Sequence, residues 1–140
     1  MLKRIFIGFD YENDKHYKFL LTALSAHQGF ELIFEDLSSR EINSATISVV
    51  RAGLTAKINR ADYTLIIIGK YANELHKDFR LIGYRNWINF EIAQSKKAGN
   101  KLIAVKLDRL NVSPEELYNS GASWAMSYTV NAIVKAIDAA

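Results

Sequence analysis

Tyr63-Thr64-Leu65-Ile66-Ile67-Ile68 gives the clearest strand signal in this chain of 140 residues, and Gly69 ends it. A strand with one face in water alternates apolar and polar residues, whereas this run is apolar on both faces. Such a pattern is typical of a parallel strand at the centre of a sheet that has helices on both sides. We therefore expect residues 63–68 to lie in the middle of the sheet.

Similar runs occur on both sides of this strand in the sequence. Residues 4–9, 30–34 and 101–107 are short segments rich in β-branched and aromatic side chains, and residues 123–126 allow a short fifth strand. The intervals show the spacing of amphipathic helices at residues 17–24, 47–58, 86–97 and 130–137. We expect residues 70–85 and 108–121 to be loops, with a helical turn starting at Pro114.

This alternation of strands and helices predicts one domain over residues 1–140. Parallel strands joined by right-handed helical crossovers give an α/β, flavodoxin-like three-layer sandwich with a central parallel five-stranded sheet. In such sheets, ligands bind beyond the carboxyl ends of the strands, where the strand order reverses. We expect this point to lie between the first and third strands. The predicted site collects Phe9, Asp10, Tyr11, Asp36, Ser38, Lys70, Tyr71, Trp87 and Glu91.

The composition excludes several classes of site. The chain has no cysteine, which rules out disulfides, a thiolate nucleophile and a cysteine-ligated metal. The net charge of +3 is small and the basic residues are scattered, so we expect no nucleic-acid partner. The three histidines, His16, His27 and His76, lack the spacing of metal ligands, and we expect no metal. A strand-like N-terminus and the lack of a long apolar run predict a cytoplasmic protein with no membrane contact.

The turn after the first strand argues against familiar nucleotide and phosphate sites. Phe9-Asp10-Tyr11-Glu12 has no glycine, whereas Walker and dinucleotide motifs require a glycine-rich turn there. A phospho-accepting receiver would have an aspartate at the end of the third strand, where this chain has Gly69-Lys70-Tyr71. No nucleophile elbow for Ser-His-Asp hydrolysis is present.

Trp87 and Glu91 are four residues apart at the start of a predicted helix, and so they share one face. An aromatic side chain next to a carboxylate can hold a flat cationic ring and stabilise positive charge beside it. The alternative is structural, because tryptophans generally belong to the core and helical glutamates to the solvated surface. Spacing by itself leaves both interpretations open.

Four segments together resemble the TIR-like domain of the ThsB family from Thoeris antiphage defence. They are Ile5-Phe6-Ile7-Gly8-Phe9-Asp10-Tyr11 with Asp14, Phe34-Glu35-Asp36, residues 61–69, and Trp87-Ile88-Asn89-Phe90-Glu91-Ile92 with Ala93 and Gly99. The resemblance covers residues 4–107. Its most distinctive part is a tryptophan followed four residues later by a glutamate at a helix start.

The resemblance implies an enzyme that breaks the nicotinamide-ribosyl bond of NAD+, with Glu91 as the essential carboxylate. It implies NAD+ as substrate without a further cofactor. The implied product is a signalling nucleotide derived from ADP-ribose, expected to be a cyclic isomer, that activates a partner effector protein. The loop of Phe9, Asp10 and Tyr11 would lie beside the nucleotide. A departure from the family pattern is Leu37-Ser38-Ser39-Arg40, which replaces the expected proline-glycine signature.

Several assignments have two interpretations. Trp87, Tyr84 and Phe9 are expected to stack on a ring of the substrate and exclude water. Asp10 suits either a helix cap or a ligand contact, and Asp36 and Ser38 suit either a turn or a substrate contact. We place Trp124 in the core near the C-terminal helix.

The alternative function is a non-catalytic domain that assembles with other TIR-like chains through self-association. A more distant alternative is another transferase that acts on N-ribosyl bonds. Mass analysis of the products would separate such a transferase from the NAD+-consuming enzyme.

Overall fold

The computed structural model describes residues 2–10, 24, 26, 29–34 and 44–140. Five strands form one sheet in which every neighbouring pair is parallel, in the order β2-β1-β3-β4-β5. The strands are β1 (Lys3–Gly8), β2 (Phe30–Phe34), β3 (Tyr63–Ile68), β4 (Lys101–Lys106) and β5 (Ser123–Ala125). The predicted α/β, flavodoxin-like architecture is therefore confirmed, with β3 in the middle of the sheet.

The described helices are α1 (Ser44–Arg60), α2 (Phe79–Ile82), α3 (Trp87–Ala98) and α4 (Val130–Ala139), with a 3-10 turn at Glu115–Leu117. Helix α3 begins and ends within one residue of the prediction, because its first and last residues have clear signals. The Asn86 side chain caps its start, and Gly99 ends it in the left-handed conformation with φ 78°. The one-turn helix α2 lies in the segment that was expected to be a loop.

Side chains from β3 enter the core on both faces of the sheet, as the apolar run predicts. Leu65 and Ile67 pack with Ile133 and Ile137 of α4. Ile66 and Ile68 point to the opposite face and share a cluster with Ile88 and Ile92 of α3, and a third cluster joins Phe6 of β1 to residues of α1 and α3. Burial on both faces makes three layers, with α4 on one side and α1 and α3 on the other.

The structure corrects the assignment of Trp124 to the core. Trp124 lies on β5 and is 42 % exposed. Helix α4 covers the face of β5 that carries Ser123 and Ala125, since the Ser123 hydroxyl donates to the Ala136 carbonyl at 2.7 Å. Trp124 points to the other face of an edge strand, where it stays partly open to solvent.

At the amino ends of the strands, Arg4 of β1 is joined to Asp62, which immediately precedes β3. The Arg4 backbone N–H donates to Asp62 Oδ2 at 3.2 Å, and its guanidinium lies 3.4 Å from Oδ1. The pKa of Asp62 lies below its ordinary value. The hydrogen bond from the Arg4 backbone N–H is the largest cause, and the Arg4 guanidinium lowers the pKa further. Both side chains are about half exposed, so water screens this ion pair.

Replacing Asp62 with Asn should lower the free energy of unfolding at pH 7 by less than about 1 kcal/mol. Because the folded state lowers the pKa of Asp62, the stability that its ionised carboxylate contributes is complete above the unfolded pKa of about 4. This stability is lost as the pH falls through the folded pKa. Urea unfolding of wild type and Asp62→Asn at pH 7 and at about pH 2.5 tests this. A stability difference that grows in acid would contradict the assignment.

Candidate functional site

Glu91, in the second turn of α3, places its carboxylate over the last residue of β1. A Cβ atom added to Gly8 would overlap Glu91 Oε2 and would lie 2.8 Å from Ile66 Cδ1. A glycine at this position therefore lets the carboxylate lie directly against the backbone of the strand. Gly8 is paired with Ile66 in the register of β1 and β3. Glu91 thus lies where the sequence predicts the ligand site, between the first and third strands.

The Glu91 carboxylate is buried, with 1 % of the residue exposed. Transfer of a carboxylate from water into a protein interior costs roughly several kcal/mol of free energy unless other groups compensate the charge. A packing role does not need such a group, since an apolar side chain would fill the same space without that cost. A buried carboxylate in this position is a candidate for the chemical role that the sequence predicts, and that role remains a prediction.

A second polar residue on the same face of α3 fixes the helix to β3. Ser95, one turn after Glu91, is fully buried, and its hydroxyl donates to the Glu91 carbonyl at 2.7 Å. Since that bond uses its only proton, Ser95 accepts from the Thr64 hydroxyl, 2.7 Å away. Thr64 in turn accepts from Asn100 Nδ2 at 3.3 Å. These hydrogen bonds hold the backbone of Glu91 at a fixed height above the sheet.

The first turn of α3 is held by the Asn86 side chain. Asn86 Oδ1 accepts from the Asn89 backbone N–H at 2.9 Å, which caps the helix. Asn86 Nδ2 donates to the carbonyls of Ala72 and Glu74, each at 2.9 Å. One amide side chain therefore ties the helix start to the loop that follows β3.

Asn89 extends these contacts to the 3-10 turn after β4. Its side chain is fully buried, and Nδ2 donates to Asn86 Oδ1 at 3.0 Å and to Asn73 Oδ1 at 3.1 Å. Asn89 Oδ1 accepts from the Glu116 backbone N–H at 3.0 Å. The first turn of α3 is thereby fastened to two separate loops, which limits the positions that Glu91 can take.

Trp87 lies on the side of α3 that faces β1 and α1. Its ring meets Phe90 edge to face, with centroids 5.8 Å apart, and belongs to a core cluster that includes Phe6. Only 8 % of Trp87 is exposed, and its Nε1 donates to none of the described residues. Most of the ring is thus used in the core, and stacking on a substrate remains a prediction for Trp87.

The other predicted aromatic contacts lie in different places. Tyr84 is partly exposed and packs against the cluster that contains Trp87. Its ring is edge-on to that of Phe90, and the two ring centroids are 5.9 Å apart. Phe9 is buried and packs with Ile7 and Leu24 on the α4 face of the sheet. Side chains of consecutive strand residues point to opposite faces of the sheet. Phe9 therefore lies on the face opposite to the one where Glu91 contacts Gly8.

The remaining predicted residues are distributed around the carboxyl ends of the strands. Asp10 is partly exposed just after β1. Lys70 and Tyr71 follow β3 and are exposed, with Lys70 Nζ 5.6 Å from the centre of the Tyr71 ring. Tyr11, Asp36 and Ser38 lie outside the described residues, and their roles remain predictions.

The structure also adds residues that the sequence did not single out. Gly8, Asn73, Asn89 and Ser95 each contribute to the position of α3. An N-cap signal was present at Asn86, because asparagine immediately before a helix is a preferred cap. Asn73 had no local signal, since its partner is distant in sequence.

Histidine and carboxylate side chains do not gather into a metal site within the described part of the chain. His76 instead has a local role, in which its Nδ1 accepts from the Asp78 backbone N–H at 3.0 Å. This contact helps to shape the loop before α2.

Replacing Gly8 with Ala should lower the free energy of unfolding by about 1–3 kcal/mol, because the methyl group overlaps Glu91 and Ile66. Gly53→Ala is the matched control, since a Cβ there meets nothing within 4 Å and the position is an exposed helix interior. The control should be stabilising by about 1 kcal/mol. Urea unfolding measures both values, and a Gly8→Ala protein as stable as Gly53→Ala would refute the close contact.

Replacing Asn89 with Ala should cost about 2–4 kcal/mol, since the change leaves polar partners in Asn73, Asn86 and Glu116 without their hydrogen bonds. Asn59→Ala, on the exposed side of α1, should change stability by no more than about 0.5 kcal/mol. Thermal and urea unfolding of both variants test the difference. Equal stabilities would show that the asparagine contacts do not hold α3.

Comparison with known proteins shows that the chain matches a protein family. The family described as Thoeris protein ThsB, TIR-like domain, matches residues 6–112. No curated protein matches the chain. The matched region covers more than half of the sequence and contains the second half of β1, all of β2, β3, β4 and α3, and both Gly8 and Glu91. This protein therefore belongs to the ThsB TIR-like domain family of Thoeris.

Proposed function

We infer that this protein cleaves the bond between nicotinamide and ribose in NAD+, and that Glu91 is its catalytic carboxylate. The main support is the position of Glu91, a buried carboxylate packed on Gly8 where the sheet order reverses. Membership of the ThsB TIR-like family supports the same conclusion.

The reaction needs little from the protein beyond charge and position. When the bond from ribose C1′ to the pyridinium nitrogen breaks, its electron pair moves to nitrogen and nicotinamide leaves as a neutral molecule. No acid is needed to protonate it, unlike the leaving oxygen in ordinary glycoside hydrolysis. A carboxylate near the ribose stabilises the positive charge that develops at C1′ and can hold the ribose hydroxyls.

The attacking group then decides the product. Attack by water at C1′ gives ADP-ribose and releases a proton. Attack by a nucleophile within the same nucleotide gives a cyclic isomer of ADP-ribose, and attack by another molecule gives a conjugate. The aromatic side chains near α3, Trp87 and Tyr84, would favour the cyclic product if they exclude water from the site. We propose that the product is a signal for an effector protein of the defence system.

The burial of Glu91 bears on how the activity is controlled. A dinucleotide cannot contact a carboxylate that is 1 % exposed without displacing neighbouring atoms. Turnover therefore requires the atoms that cover the carboxylate to move away, and we propose that infection provides the trigger for this movement. An assay of the activity therefore needs lysate from infected cells. The cytoplasmic location remains a prediction, and no described helix has the length and apolar character needed to cross a bilayer.

A second candidate is a non-catalytic domain that assembles with other TIR-like chains. Leu110 and Tyr118, near the 3-10 turn, are largely exposed apolar side chains that would suit a contact between proteins. This candidate requires no chemistry from Glu91.

Replacing Glu91 with Gln keeps the shape of the side chain but removes its charge. Nicotinamide release from NAD+ should fall by about 10²-fold or more, because the charge developing at C1′ loses its partner. Glu115→Gln, an exposed change on the 3-10 turn, is the control and should keep wild-type turnover. The assay uses purified protein with NAD+, with and without lysate from phage-infected cells, and mass spectrometry of all products.

The outcomes of this assay separate the two candidates. Undiminished NAD+ turnover by folded Glu91→Gln would refute the catalytic role of this carboxylate. Inactivity of the wild type under both conditions, with folding confirmed by circular dichroism, would favour the assembly domain. The mass of the product distinguishes hydrolysis, cyclisation and conjugation.

A further inference from the structure

A groove runs between α1 and α3 on the surface of the protein. Small and uncharged polar side chains form most of its lining, and two basic residues add positive charge. The lining includes Arg51, Ala52, Thr55, Ala56, Gln94 and Lys97. None of the described residues that line the groove is acidic.

The outer face of α1 is unusual for a helix in contact with water. An exposed helix face normally carries charged or polar residues. Here Val49 is 66 % exposed, and Ala52, Gly53 and Ala56 are exposed beside it. These residues form a shallow apolar strip along the helix, with room above it for another chain.

Among the described residues of α1 and α3, the exposed charged side chains beside this strip are all basic. Helix α1 has basic residues but no acidic ones, and the only acidic residue of α3 is Glu91, which is buried against the sheet. The positive charge of Lys96 is compensated, because its Nζ lies 2.9 Å from Glu116 Oε2. Arg51 and Lys97 remain as the cations of the groove, so its charge complements an acidic partner.

The two cations occupy different levels along the groove. The Arg51 guanidinium carbon lies 5.4 Å from the centre of the Phe90 ring. Lys97 follows Phe90 by two helical turns, which corresponds to about 10 Å along α3. Acidic residues two turns apart on a partner helix would match this spacing.

We propose that the groove between α1 and α3 docks an acidic amphipathic helix of a partner protein. The apolar side of that helix packs on Ala52 and Ala56, and its carboxylates meet Arg51 and Lys97. Helix-in-groove binding of this type needs an extended apolar strip with charges at its borders. Nucleic acid fits less well, because it would require a continuous row of basic side chains along the groove.

The test uses ¹⁵N-labelled protein and a designed helical peptide of Ala, Leu and Glu, about 16 residues long, with Glu residues seven apart. The same peptide with Lys in place of Glu is the control for charge. At up to about 1 mM peptide, the acidic form should shift the amide signals of Arg51, Thr55, Gln94 and Lys97 in a saturable manner. The Lys form should leave these signals unchanged.

Two double variants separate a local contact from the effect of net charge. Arg51→Gln with Lys97→Gln should weaken binding by about ten-fold or more, since both proposed charge contacts are lost. Lys77→Gln with Lys135→Gln removes the same charge from exposed positions outside the groove and should change the affinity by less than about two-fold. Ala56→Glu should also abolish binding, because it adds a carboxylate to the floor of the groove.

Several results would overturn the proposal. One is that the acidic peptide shifts no amide signals of the groove residues. Another is that both double variants lose the same affinity for the peptide. A third is that a thymidine oligonucleotide of about 12 nucleotides binds the same residues more tightly than the peptide does. Shifts of the groove signals with protein concentration alone would assign the groove to a second copy of this chain. None of these measurements uses NAD+, so they are independent of the proposed reaction.

Discussion

The contact between α3 and the central strands is the constraint on which the rest of this structure depends. Glu91 lies against the backbone of Gly8, and one turn later Ser95 is hydrogen-bonded to Thr64 of β3. Two polar groups are thus placed between a helix and a sheet, where apolar contacts usually dominate. The position is sustained because the polar atoms of Ser95 and Thr64 satisfy one another and the surrounding core excludes water.

The asparagine side chains at the start of α3 extend this principle to the loops. Asn73, Asn86 and Asn89 share their donors and acceptors with one another and with backbone groups of the flanking segments. A long connection after β3 therefore becomes part of a fixed framework around the helix. In this family member, the geometry of the proposed catalytic carboxylate is set by hydrogen bonds to loops as well as by packing in the core.

The sequence could predict features that depend on local pattern. The double-sided apolar run of β3 identified the centre of the sheet, and Asn86 with Gly99 marked both ends of α3. Features that depend on distant partners could not be predicted. Asn73 contacts Asn89 only after the chain has folded. The solvent exposure of Trp124 depends on which face of β5 is covered by α4. The sequence around Gly8 did not indicate that a carboxylate would pack against this residue.

The hydrogen bond from Ser95 ends on the backbone carbonyl of Glu91 and does not involve its carboxylate. The fold is therefore anchored through an atom that every amino acid possesses at this position. Mutation of the side chain leaves that anchor in place, so we expect the architecture to tolerate loss of the acidic group. A lineage could thus lose the proposed chemistry and retain the scaffold, which would give evolution a short route between an enzyme and an inert domain of the same shape.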